Sequence, residues 1–131
     1  MKIKHLDKVV PEPVLEAAWV EPADSLKQKV LNGLRGSGFV AGAVTLPDNA
    51  ALAAVADGLW VVPLKPGLLA PVALEGGFKV PRSEIRSFTI GKAAVNLPVD
   101  IRTESDGDLR FIVHRSRRKH LEPVIAALGL A

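Results

Sequence analysis

The sequence predicts a mainly β protein: a bent antiparallel barrel of about seven short strands, capped by a C-terminal α-helix and preceded by an N-terminal helical extension. Three observations predict it. From residue 38 onward the apolar runs are strand-sized and separated by Gly, Pro, Asn and Asp turn signals. The last segment changes period, since Leu121, Val124, Ile125 and Leu128 fall at i, i+3, i+4 and i+7. Such a helical stripe needs an apolar surface to cover, and the open end of a strongly bent sheet supplies one.

The 131 residues fit one domain with a sizeable core, and 48% hydrophobic with 24% charged residues is ordinary for a globular chain. Aromatics are only 5%, so the core must be built from Val, Leu, Ile and Ala. With no cysteine there are no disulfides, thiol nucleophiles or thiolate metal sites, which accords with a reducing compartment. The longest apolar runs, residues 50–56, 59–64 and 68–74, fall far short of the roughly 20 residues that span a bilayer. The start, MKIKHLDKVVPEP, leads into no apolar segment of the secretory kind, so the expected location is cytoplasmic.

Residues 1–37 read as an N-terminal extension and 38–131 as the barrel domain. Pro11, Pro13 and Pro22 make the first 22 residues the least regular. Residues 14–20 read as a short helix or extended segment lying across the domain surface, with Trp19 packed in an apolar groove. Asp24 or Ser25 then caps a helix over about 26–34, with Leu26, Val30, Leu31 and Leu34 on one stripe and Gly36-Ser37-Gly38 as the turn out.

Candidate strands follow. Residues 39–46 end at Pro47-Asp48-Asn49. Residues 52–56 end at Asp57-Gly58, where glycine's tolerance of positive φ favours a hairpin. Residues 59–64 end at Lys65-Pro66-Gly67, and 68–74 contain Pro71, which requires an edge position. After Glu75-Gly76-Gly77 come 78–80 and 85–90, where Ile85 and Phe88 are out of phase and imply a bulge. Residues 96–103 alternate, with Leu97, Val99 and Ile101 on one face and Asp100 and Arg102 on the other. Ser105-Asp106-Gly107-Asp108 turns the chain into 109–114, whose inner face is Leu109, Phe111 and Val113. Pro123 either lies in the first turn of a helix starting near Leu121 or kinks it, and Gly129 stops it.

Four pieces in this order carry a resemblance: Ala54-Val55-Ala56-Asp57-Gly58-Leu59-Trp60-Val61-Val62, the VPRSEIRSF run of residues 80–88, the Asp106-Gly107 hairpin, and the last strand followed by the stripe of Leu121 to Leu128. Together they resemble the pleckstrin-homology-like superfold in its GRAM-like or bacterial variety, over about residues 38–128. The resemblance implies a seven-stranded bent barrel capped by its C-terminal helix. Residues 1–37 have no counterpart in that minimal fold. The phosphoinositide-binding members place Lys and Arg in the first hairpin loop, whereas Pro47-Asp48-Asn49 has neither.

Little here points to catalysis. Gly36-Ser37-Gly38-Phe39-Val40-Ala41 matches the letters of a dinucleotide motif, but a helix precedes it and a strand follows, the reverse of what a phosphate cradle needs. His5, His114 and His120 have no carboxylate at ligand spacing, and two imidazoles make a poor zinc site. Glu104, Asp106 and Asp108 read as turn residues, and Ser37, Ser87 and Ser116 as serines without a partnered histidine and carboxylate. No metal and no cofactor is expected.

Charge gives the one candidate site. Of the net +3, residues 1–77 carry −1 and residues 78–131 carry +4. The positive excess centres on Arg115, Arg117, Arg118 and Lys119 at the start of the last helix, with Arg110 and Arg102 as possible outer-face extensions. Backbone amides at a helix start and clustered cations together suit an anion, while solvation beside Glu122 and Glu84 is the plainer account. The charge pattern without interleaved aromatics argues against nucleic acid. The expected function is a non-catalytic binding or assembly module whose partner is a protein, an acidic one included, or an anionic lipid or phosphate. The alternative is a self-associating structural protein, a homo-oligomer with no anionic ligand.

Overall fold

The computed structural model describes residues 2–23, 49–104 and 108–130. It opens with a one-turn helix α1 (Leu6–Val9), whose start is set by His5 in the left-handed region at φ 65°. Eight strands follow among the described residues: β1 (Glu16–Pro22), β2 (Asn49–Val55), β3 (Gly58–Lys65), β4 (Val72–Ala73), β5 (Phe78–Pro81), β6 (Ile85–Ile90), β7 (Asn96–Thr103) and β8 (Asp108–His114). Helix α2 (Arg118–Ala127) follows β8, entered through a 3₁₀ turn at Arg115–Arg117. The mainly β architecture with a closing helix is as the sequence indicates.

All the ladders between strands are antiparallel, in the order β4-β3-β2-β1-β8-β7-β6, with β5 also pairing β3. Among the described residues no ladder joins β6 back to the other end, so the sheet is not closed. β1 links its two halves. Glu16 to Val20 pair with β2, while Glu21 and Pro22 pair with Ile112 and Phe111 of β8.

That strand corrects the surface position expected of residues 14–20. Ala18 and Val20 are fully buried, and Glu16–Pro22 lies between two neighbours in the sheet. The helix expected at 26–34, the strand at 39–46, the glycine motif at 36–41, the 37/38 boundary and the Asp106-Gly107 turn lie outside the described residues.

Period 2 sends successive side chains to opposite faces, and β2 uses both. Ala50, Leu52 and Ala54 join the main core, with Phe88, Val99, Ile101, Phe111 and Val113 and the α2 stripe of Leu121, Val124, Ile125 and Leu128. Ala51, Ala53 and Val55 join a second cluster on the other face, roofed by Ile3, Leu6 and Val10. Residues 2–15 are thus a strap over the back of the sheet. Each fully buried Leu or Val in these clusters contributes about 1.5–3 kcal/mol.

The turns show where local chemistry decides. Val55 pairs with Gly58, so Ala56 and Asp57 are the two turn residues, and neither has positive φ. Gly58 is a glycine for another reason: a Cβ there would lie 2.6 Å from the carbonyl oxygen of Val80, where β5 crosses. The bulge expected near Ile85 is present as a register shift between Ile85 and Ser87. The strand expected over 68–74 shortens to Val72–Ala73, because Leu68, Leu69 and Ala70 have no ladder partner; Pro71 precedes this edge strand.

Helix α2 begins at Arg118, three residues before Leu121, so Pro123 lies in its second turn. The missing Pro123 amide leaves the Lys119 carbonyl without its intrahelical donor, and burial of the stripe offsets that loss. Gly129, at φ 73°, ends the helix, with its amide on Ala126 and that of Leu130 on Ile125, the paired bonds of a Schellman stop.

A candidate binding groove at the basic junction

The basic residues do not form one patch, because most of them are already engaged. Arg117 stacks over the ring of Trp19, its guanidinium carbon 4.0 Å from the centroid. Trp19 in turn donates from Nε1 to Asn49 Oδ1 at 2.8 Å and packs on the second cluster, so Arg117 is fixed to the back of the sheet. Arg118 donates from Nε to Glu122 Oε1 at 3.0 Å, one helical turn on. Arg110 stands opposite Asp100, at 3.4 Å, and Arg102 opposite Asp108. The outer face of β7 and β8 is therefore a checkerboard of opposite charges, and Arg110 and Arg102 do not extend the junction. Arg115 and Lys119 are exposed and have no ion-pair partner among the described residues.

The backbone at the helix start is also partly used. The Ser116 amide donates to His114 Nδ1 at 3.1 Å, the Arg115 amide to Val95, and the Arg118 amide back to Arg115. Ser116 Oγ lies 2.7 Å from the same Nδ1, so this serine has a histidine beside it. The pairing is a local cap two residues apart with no carboxylate in its hydrogen bonds, unlike the arrangement that activates a nucleophile. Among the described residues no group of three His, Asp or Glu could hold a metal ion.

What the sequence did not reveal is a groove beside this junction. Ile90 at the end of β6 and Ile125, Arg118 and Glu122 of α2 line an open hollow of about 340 Å³. Two apolar side chains form part of it, and the Arg118–Glu122 ion pair contributes its polar lining. β6 is an outermost strand of the described sheet, so one of its edges faces outward without a ladder partner. Ile90 and Ile125 are 35 residues apart, and no local pattern links them.

A second charged cluster lies on the strap. Lys79 Nζ reaches Glu12 at 2.8 Å and Asp57 at 2.6 Å, and Trp60 Nε1 donates to Glu12 Oε2 at 2.9 Å. The hydrogen bond and charge of Lys79 hold the Asp57 carboxyl below its ordinary value, and Asp57 and Glu12 raise the Lys79 ammonium above its own. The cluster fastens residues 2–15 to the β2–β3 hairpin.

No protein-family model matches the chain, and no curated protein matches its sequence. Among solved structures, it is similar to the C-terminal domain of an unknown protein from Leishmania infantum, with a TM-score of 0.56 and 12% identity over 94% of each chain. At that identity the likeness shows the fold alone.

Proposed function

We propose that this protein is a non-catalytic binding module of pleckstrin-homology-like type that takes an extended acidic peptide along the outer edge of β6. The carrying observation is the groove of Ile90, Arg118, Glu122 and Ile125 beside a strand edge that has no ladder partner among the described residues. An added strand gains affinity from main-chain hydrogen bonds and selectivity from pockets for its alternate side chains. Ile90 and Ile125 offer apolar contact for one such side chain. Arg118, with Arg115 and Lys119 on the same turn, favours a carboxylate for the next. Glu122 already holds Arg118, so a peptide carboxylate must compete with it. The β1-linked sheet and its closing helix are compatible with the family, and they support the reading at that level.

Selection of random peptides on the immobilised protein, followed by NMR titration of the best binder, tests this. Acidic sequences that shift residues 85–90 and 118–125 are expected. Glu122→Gln should tighten them several-fold by freeing Arg118, and Arg118→Ala should weaken them about tenfold, as for a charge-assisted contact. Shifts confined elsewhere, or no selected peptide, would refute the proposal. The same open edge carries the alternative, pairing with a second copy. A concentration-dependent mass with shifts along β6 in the unliganded protein would favour that reading.

A further inference from the structure

The loop between β3 and β4 carries two large apolar side chains that no described residue covers. Leu68 and Leu69 have relative exposures of 105% and 102%, those of side chains free in solution. Their backbone is nevertheless tightly folded. A Cβ on Gly67 would lie 2.2 Å from the carbonyl oxygen of Ala70, so the chain doubles back there in a way only glycine allows. Pro66 and Pro71 bracket the turn. Its far side is stitched to the strap, since the Lys4 amide donates to Pro71 at 2.9 Å and the Ala73 amide to Lys4 at 2.8 Å. A tip of two leucines therefore projects from an anchored base.

That base is cationic. Lys65 leads into the loop, Lys4 is bonded to its far end, and Lys2 lies just before; all three are exposed. Lys8 on α1 is exposed too, and the exposed carboxylates on the same stretches are Asp7 and Glu75, so lysines outnumber acids four to two.

We propose that this loop is a membrane contact: Leu68 and Leu69 enter the interfacial layer of an anionic bilayer while Lys2, Lys4 and Lys65 meet its headgroups. Two side chains are far too little for a stable protein interface, which buries about 800 Å² on each partner. A bilayer surface needs no matching shape. It takes small apolar insertions and binds them more strongly when cations lie at headgroup depth. The tightly turned, stitched loop also lowers the entropy lost on insertion. This surface is separate from the groove of β6 and α2, and neither reading depends on the other.

Cosedimentation of the full chain tests it, with vesicles of phosphatidylcholine alone and of phosphatidylcholine with phosphatidylserine, at low and physiological salt. Retention on the anionic vesicles is expected, falling with salt. The double variant Leu68→Ser with Leu69→Ser should lose about tenfold or more of that binding at an unchanged melting temperature, given the apolar area withdrawn. Lys4→Glu with Lys65→Glu should lose the preference for anionic vesicles. Arg115→Ala with Lys119→Ala, at the other basic site, should bind as the parent does. The proposal is overturned if the parent is not retained, if the leucine variant is retained equally, or if only the junction variant loses binding. A leucine variant that changes solution mass and leaves retention intact would assign the tip to a second copy instead.

Discussion

β2 and β7 have similar lengths and antiparallel neighbours on both sides, yet they are built differently. Every residue of β2 from Ala50 to Val55 is buried, because the main core covers one face and the strap covers the other. β7 alternates, burying Leu97, Val99, Ile101 and Thr103 while Asn96, Pro98 and Arg102 face outward. The strap is therefore a structural layer, not an appendage. It turns one half of an antiparallel sheet into a doubly covered one, and that half becomes intolerant on both faces.

The largest effect should come from changing the charge at one position on each strand. Ala53→Asp puts a carboxylate into the second cluster with no partner and should cost about 3 kcal/mol or more. Arg102→Ala, on the outward face of β7, should stay within about 0.5 kcal/mol. Denaturant midpoints measured side by side decide it. Equal tolerance at the two positions would mean that the strap does not cover β2 in solution.

The fastening of the strap comes next. Among the described residues, Glu12 is the acceptor for the half-buried Trp60 Nε1. Glu12→Ala should therefore cost about 1–2 kcal/mol, and Glu12→Gln less, since it keeps an acceptor for the indole. Protease cleavage within residues 2–15 should rise in the same order. If both variants match the parent in midpoint and cleavage, the strap is held by its apolar contacts alone.

These differences also explain what could be read from the letters. β7, β8 and the α2 stripe were legible because one face of each meets water, so their polar and apolar residues alternate at the period of the element. β1 was not. Ala17 and Ala18 lie on opposite faces and are both buried, so Glu-Ala-Ala-Trp-Val-Glu-Pro shows no clean alternation. The basic junction was visible as composition, and so was Glu122 as its counter-charge. The pairing of Arg110 with Asp100 depends on strand register, and the stacking of Arg117 on Trp19 spans nearly a hundred residues. Burial on two faces and contacts at long range leave no local period to read.

Arg117 links the two halves and should show a smaller effect. Arg117→Ala removes its cation from the Trp19 ring and should cost about 0.5–1 kcal/mol. It should also shift the tryptophan emission, because Trp19 and Trp60 are the two indoles of the chain. Arg117→Lys should recover part of both. A variant that lost peptide binding without either change would instead place Arg117 at the groove.

The smallest effect belongs to the Asp57–Lys79 pair, which lies near solvent at the β2–β3 turn. Asp57 is held below its ordinary value of 3.8, first by its hydrogen bond from Lys79, which outweighs the opposing desolvation, and then, in the same direction, by that ammonium's charge. A depressed carboxyl contributes its stability in full above the unfolded value and loses it as pH falls through the folded one. Lys79, raised above 10.5 chiefly by its hydrogen bonds to Asp57 and Glu12, contributes in full below that value and loses its share as pH rises through the folded one. Asp57→Asn should therefore melt slightly below the parent at about pH 6, and the difference should vanish by about pH 2, where the parent carboxyl is protonated as well. Salt should shrink it at neutral pH, since exposed pairs are screened. A difference that persists unchanged at low pH would mean that Asp57 acts through the geometry of its turn, leaving Glu12 as the working counter-charge to Lys79.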